Sequence, residues 1–167
     1  LARGVGPDDK VAVWLPNCPE MLVLQHACAH IGAVVVPLHT SHRGHELDYI
    51  LRQSDAGMLV LQDQDLQVDY LAILAELLPG LTVDDRDWPQ PDRFPALRRI
   101  VRVSERPLRG TIRYMELATA GDEPALADAL RARRAAVGPD RIFALLYTSG
   151  TTGFPKGAMI SHRNCLP

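Results

Sequence analysis

Apolar residues along this chain gather into short unbroken runs, separated by segments in which they recur at helical spacing. "KVAVWL" (10–15), "AVVVPL" (33–38), "GMLVLQ" (57–62), "RRIVRV" (98–103) and "RIFALLYTS" (141–149) are such runs. Their shortness, β-branched content and flanking turn signals predict buried strands. "GAMIS" (157–161) adds a sixth. Pro37 suits the end of its strand, where a missing ladder donor costs least. From Pro19, the residues Met21, Leu22, Leu24, Ala27, Cys28 and Ile31 predict a helix that stops at Gly32. Leu47, Ile50 and Leu51 predict another within "GHELDYILRQS" (44–54). An amphipathic helix is expected over 65–78, ended by Pro79-Gly80, with the "DQD" at 63–65 as its N-cap. A short helix around 114–120 and a longer one over 123–137, stopped by Gly138-Pro139, complete the set. Residues 82–97, with three prolines and several charges, predict a surface loop, and "RPLRGT" (106–111) a second. Trp14 and Met21 are expected in the core.

Strands alternating with helices, and apolar throughout, predict an α/β fold: a mostly parallel sheet with helices on both faces. A chain of 167 residues accommodates one such domain, over 1–167. Apolar residues at 47% and charged residues at 23% are ordinary for a globular protein. The formal net charge of −2 gives no electrostatic basis for nucleic acid or an anionic membrane as partner. Cys18, Cys28 and Cys165 are far apart and form no C-x-x-C pair, so reduced thiols and a cytoplasmic location are expected. The longest apolar stretch, 21–38, holds Gln25, His26 and His30 and meets Pro37, which favours a helix running into a strand over a membrane span.

Two histidine groups invite a metal reading. His26 and His30 share a helix face, but Cys28 lies off it; His39, His42 and His45 fall three apart at a loop and helix start. Incidental surface histidines explain both better, and no metal site is assigned. "RARRAA" (131–136) reads as a solvated helix face. His162 is open to nucleotide contact or to capping and packing.

The most specific chemistry lies in "LLYTSGTTGFPKGAMISH" (145–162). A buried strand gives way to Gly150, Gly153 and Gly157, to the hydroxyls of Ser149, Thr151 and Thr152, and to Lys156. Glycines let successive backbone N–H groups converge on one anion. Hydroxyls add donors, and a lysine makes charge-assisted hydrogen bonds to a polyphosphate. The pattern departs from the Walker A loop, because Pro155 precedes the lysine and Gly157 follows it. An apolar "AMI" follows in turn, so the loop is expected to join two strands and fold over phosphates as a flap. A plain Gly-rich hairpin is the bland alternative, and the combined glycines, hydroxyls and lysine argue against it.

These residues carry a resemblance. "YTSGTTGFPKG" (147–157) resembles the signature loop of the adenylate-forming superfamily of AMP-binding enzymes, which includes acyl-CoA synthetases, peptide-synthetase adenylation domains and firefly-type luciferases. "AMISHRN" (158–164) and "GVGPDDKVAVWLPNCPEM…GAVVVPLHTSHRGHELDYILRQSDAGMLVL" (4–61) are similar to bacterial fatty-acyl-CoA synthetases. The likeness spans nearly the whole chain and is weakest over 82–125. Thr151-Thr152 resembles the CoA-ligase form of the loop.

The resemblance implies a two-step reaction: a carboxylate attacks the α-phosphate of ATP, and the thiol of CoA then displaces AMP. It implies that Thr148, Ser149, Gly150, Thr151, Thr152, Gly153, Lys156 and Gly157 hold the β- and γ-phosphates, with Lys156 the catalytic cation. The expected ligands are ATP, Mg²⁺ held by residues outside this chain, CoA and a carboxylic acid. The family's acyl-pocket segment, Thr-Glu magnesium motif, ribose aspartate, hinge and C-terminal lysine do not occur before Pro167, and Leu1 is not a methionine. The expectation is therefore an amino-terminal fragment of a synthetase, ending just after its phosphate loop, without turnover and poorly soluble. Transfer to a carrier-protein thiol and a non-catalytic remnant are the alternatives.

Overall fold

The computed structural model describes residues 1–65, 68–79, 92–148 and 154–165. The elements run β1 (Lys10–Trp14), α1 (Pro19–Ile31), β2 (Val34–Pro37), α2 (Gly44–Ser54), β3 (Met58–Gln62), β4 (Gln64–Asp65), β5 (Val68–Asp69) and α3 (Tyr70–Leu77). They continue with β6 (Arg99–Val103), β7 (Ile112–Arg113), α4 (Tyr114–Thr119), α5 (Ala125–Ala136), β8 (Ile142–Thr148), β9 (Lys156–Ser161) and α6 (His162–Cys165). Seven strands form one sheet in the order β7-β6-β3-β1-β2-β8-β9. Every neighbouring pair is parallel except β8 and β9, which form an antiparallel hairpin.

The period-two alternation of the strands sorts the core onto two faces. Ala12, Trp14, Leu59 and Leu61 point to one side, where Leu47, Ile50 and Leu51 of α2 and Leu74 and Leu77 of α3 cover them. Val11, Val13, Met58 and Val60 point to the other, beneath Leu24 and Cys28 of α1. The core strands are buried on both faces because each has a helix above and below. Gly32 ends α1 with φ 72°, the left-handed conformation that a Cβ disfavours; an added Cβ would also stand 3.3 Å from a Val137 methyl.

Several expectations need correction. The helix expected over 65–78 begins only at Tyr70, and Asp69, not the 63–65 stretch, caps it by accepting from the Ala72 N–H at 2.9 Å. Gln64–Asp65 instead pairs antiparallel with Val68–Asp69. Asp63 is drawn away by Arg102, as described below. Most of the loop expected over 82–97 lies outside the described residues, but Phe94 and Leu97 at its end are 2% and 1% exposed and belong to the core. β7 occupies Ile112–Arg113, where no strand was expected. Along α1, Leu22 is 60% exposed despite its place in the apolar pattern, and Met21 is half-buried.

Candidate functional site

In an open parallel sheet, ligands bind at the carboxyl edge, where loops leave neighbouring strands toward opposite faces. β1 leads into α1 on one face and β2 into α2 on the other, which makes the carboxyl ends of these two strands the position this rule assigns to a ligand. The two departing loops are tied there by the Trp14 indole N–H, which donates to the His39 carbonyl at 3.1 Å. β8 lies beside β2 and runs parallel to it, so its last residue, Thr148, is on this same edge.

Of the expected phosphate-binding residues, Thr148, Lys156 and Gly157 are described; Ser149, Gly150, Thr151, Thr152 and Gly153 lie outside the described residues. Thr148 and Lys156 are direct cross-strand partners. Residues opposite one another in an antiparallel pair put their side chains on one face, with Cβ atoms roughly 5 Å apart. A hydroxyl and an ammonium thus stand side by side at the mouth of the hairpin. Lys156 is exposed, and among the described residues no hydrogen bond or ion pair engages its ammonium.

Gly157 pairs with Tyr147 on the opposite face. A Cβ there would come within 3.2 Å of the Tyr147 ring, so the glycine leaves room for that ring to lie over the strand. The Tyr147 hydroxyl donates to the Gln53 side-chain carbonyl of α2. Burial, followed by the nearby Tyr49 and Asp55, pushes the Tyr147 phenol up to about 12. Just past the glycine-rich segment, Phe154 stacks on Tyr49 of α2, ring centroids 5.4 Å apart and planes 27° from parallel.

His162 does not join this site. It follows β9 at the end opposite Lys156, where Ser161 pairs with Ile142. Six residues of strand separate it from Lys156, about 20 Å at the usual rise. Its ring lies 5.4 Å from Phe143, and burial, then Arg141, holds its imidazole below the usual histidine range. Packing accounts for it. Two of the other histidines are locally engaged: His26 contacts the Leu22 carbonyl at 2.8 Å and His39 the Ser41 hydroxyl at 2.7 Å. Among the described residues no three His, Cys, Asp or Glu side chains are grouped to hold a metal, and no helix there is long and apolar enough to cross a membrane.

Sequence reading missed two buried charges, Asp48 and Arg102. Arg102, next to last in β6, is 2% exposed and grips Asp63 with two donors, at 2.7 and 2.5 Å, while Ser104 adds a third bond at 2.7 Å. Burial would raise the Asp63 carboxyl, but the bonds from Arg102 and Ser104 outweigh it and hold it below the usual carboxylate range. An arginine between Val101 and Val103 in the strand was the available signal. The pair secures the ends of β3 and β6 on the carboxyl edge of the sheet.

A largely parallel, doubly covered sheet with a Gly/Ser/Thr-Lys hairpin on its carboxyl edge is the architecture of a nucleotide-handling α/β domain. The sequence matches the family of AMP-binding enzymes over residues 1–166, and the chain belongs to that family. It is 36% identical over 166 residues to YngI of Bacillus subtilis, which bears the provisional name of an acyl-CoA synthetase. It is 30% identical over 164 residues to a mitochondrial medium-chain acyl-CoA ligase of Rattus norvegicus. These alignments cover 99% and 98% of this chain but only 30% and 26% of the relatives. Among solved structures, that of Mycobacterium smegmatis MbtA superposes with a TM-score of 0.71 at 25% identity, over 97% of this chain and 26% of that one. The anthranilate CoA ligase AuaEII, in complex with anthranoyl-AMP, shares the fold with a TM-score of 0.67 at 23% identity, over 96% and 26%. The fold is thus part of the N-terminal domain of adenylate-forming enzymes, and its mostly parallel sheet with helices on both faces is the α/β arrangement expected from the sequence.

Proposed function

We propose that this chain is the phosphate-holding, amino-terminal part of an acid–thiol ligase, ending shortly after the loop that grips ATP. The ligase would join a carboxylic acid to AMP and pass the acyl group to CoA. The observation that carries this reading is the pairing of Thr148 with the uncommitted Lys156 at the mouth of the glycine-rich hairpin, on the carboxyl edge of the sheet. Family membership and the CoA-ligase names of two relatives support the same reaction class.

Lys156 and Thr148 would bind the β- and γ-phosphates, together with the backbone and side chains of Ser149, Gly150, Thr151, Thr152, Gly153 and Gly157. Attack on the α-phosphate makes pyrophosphate the leaving group, and a positioned cation stabilises the charge it gains. Mg²⁺ would supply further neutralisation of that charge from ligands outside this chain. Relatives extend well beyond the matched region, and the acyl pocket and the thiol-transfer machinery would belong to that remainder.

The test is product analysis with the protein carrying this chain through the length of its relatives. Incubated with ATP and a panel of fatty and aromatic acids, it should form AMP and an acyl-CoA thioester when CoA is supplied. Thioester formation only on a phosphopantetheinyl carrier protein would replace CoA as the acceptor. AMP formation with no acid in the panel would refute the ligase reading.

A further inference from the structure

The glycine-rich segment has two flanks, and one helix touches both. On the incoming strand, Tyr147 donates to Gln53; on the outgoing side, Phe154 stacks on Tyr49. Tyr49 and Gln53 are four residues apart in α2 and so lie on the same face of the helix, one turn from each other. The two contacts bracket residues 148–153. Nothing about strand pairing requires this: β8 and β9 already bond to each other along their full length, from Ile142–Ser161 to Thr148–Lys156. Phe154 also keeps 66% of its surface in solvent, so burial is a weak reason for its ring to choose Tyr49.

We propose that the Tyr49–Gln53 face of α2 anchors both flanks of the hairpin and thereby sets where Lys156 meets its polyphosphate. Tyr49, Gln53, Tyr147 and Phe154 are positioning residues, acting through Lys156 without touching ligand. The proposal rests on the phosphate-holding function above and adds the element that aims it. α2 is itself well fixed for the purpose. Its opposite side buries Leu47, Ile50 and Leu51 in the core, and Asp48 is clamped by Arg52 at 2.8 Å and Arg93 at 2.6 Å. A hairpin at the border of the sheet gains from this rigidity, since a small misplacement of a charged group weakens its hold on an anion. Gly157 contributes by leaving space for the Tyr147 ring.

Two measurements test the proposal, both on the protein that carries this chain through the length of its relatives. The first is the rate at which trypsin cuts after Lys156. The second is the affinity for magnesium pyrophosphate by calorimetry, with Lys156→Ala as the control for the loop itself. Tyr49→Ala and Phe154→Ala should each speed cleavage and weaken pyrophosphate binding about 5-fold, the worth of one aromatic pair. The double variant should be little worse than either single one, because one contact is lost in all three. Tyr49→Phe keeps the stack and should retain both wild-type values, a rescue that a general loss of stability would not show. Thermal unfolding of each variant by circular dichroism checks that the core is intact. If cleavage and affinity stay at wild-type values in both alanine variants while Lys156→Ala loses pyrophosphate, α2 is not the anchor and the phosphate-holding function survives. If the wild-type protein of that full length binds no pyrophosphate, that function fails here and the positioning role falls with it.

Discussion

Arg102 and Asp63 show what a single pair of residues does to this sheet. Removing the arginine would strand a carboxylate that is only 23% exposed against a buried strand. Breaking such a pair from one side typically costs about 3–5 kcal/mol. Arg102→Ala should therefore lower unfolding stability in urea by about 3 kcal/mol, and a loss under about 1 kcal/mol would mark the pair as solvated. Asp48 makes a pH prediction. Its hydrogen bond from Arg93, then that from Arg52, holds the carboxyl below the usual range despite some opposing burial. A carboxyl depressed by folding adds stability that is complete above the unfolded value of about 4 and is lost as pH falls through the folded one. Acid unfolding followed by circular dichroism should thus show a steeper loss below pH ~4 in wild type than in Asp48→Asn. Tyr147 shifts the other way: with its phenol pushed to about 12, the Gln53 bond persists at alkaline pH and is lost only as pH climbs through that value. Difference absorbance against Tyr147→Phe should reveal a tyrosine titrating above the ordinary one.

At the level of elements, legibility followed burial. β1, β2 and β3 were readable because strands covered on both faces need unbroken apolar runs, α1 and α5 because Gly32 and Gly138-Pro139 stop them, and α2 because Leu47, Ile50 and Leu51 recur at helical spacing. The start of α3 was misread because the 63–65 stretch reads as its cap; the buried Arg102, 39 residues downstream, claims Asp63, and Asp69 caps the helix instead. Phe94 and Leu97 were assigned to a loop by their proline-rich setting, although both side chains close the core beneath α3. In the candidate site, Thr148 and Lys156 could be picked out by composition, but their pairing on one face depends on hairpin register. The roles of Tyr49 and Gln53 were invisible, since nothing local in α2 signals a contact a hundred residues away. Gly32 offers an element-scale test. Gly32→Ala forces a side chain into the left-handed region and against Val137 at 3.3 Å, and should cost about 1–2 kcal/mol in a denaturant titration. An unchanged midpoint would mean that α1 can end elsewhere.

Across the whole molecule, burial is uneven. The centre of the sheet is closed on both faces, whereas the β8–β9 hairpin at one border carries Leu146, Phe154 and Met159 at 41%, 66% and 69% exposure. An edge strand with apolar side chains invites pairing and association. This chain should associate with rising concentration in sedimentation velocity, and Met159→Lys should shift it toward monomer; concentration-independent sedimentation would show the border to be adequately protected. The same hairpin holds the proposed phosphate grip, so exposure and function meet at one border of the sheet. The most direct test of that grip is acid-dependent ATP–pyrophosphate exchange by the protein that carries this chain through the length of its relatives, compared with its Lys156→Ala variant. A cation aimed at the departing pyrophosphate predicts exchange in wild type and a rate about 100-fold lower in the variant; equal rates in the two would contradict the assignment of Lys156 and of the loop it serves.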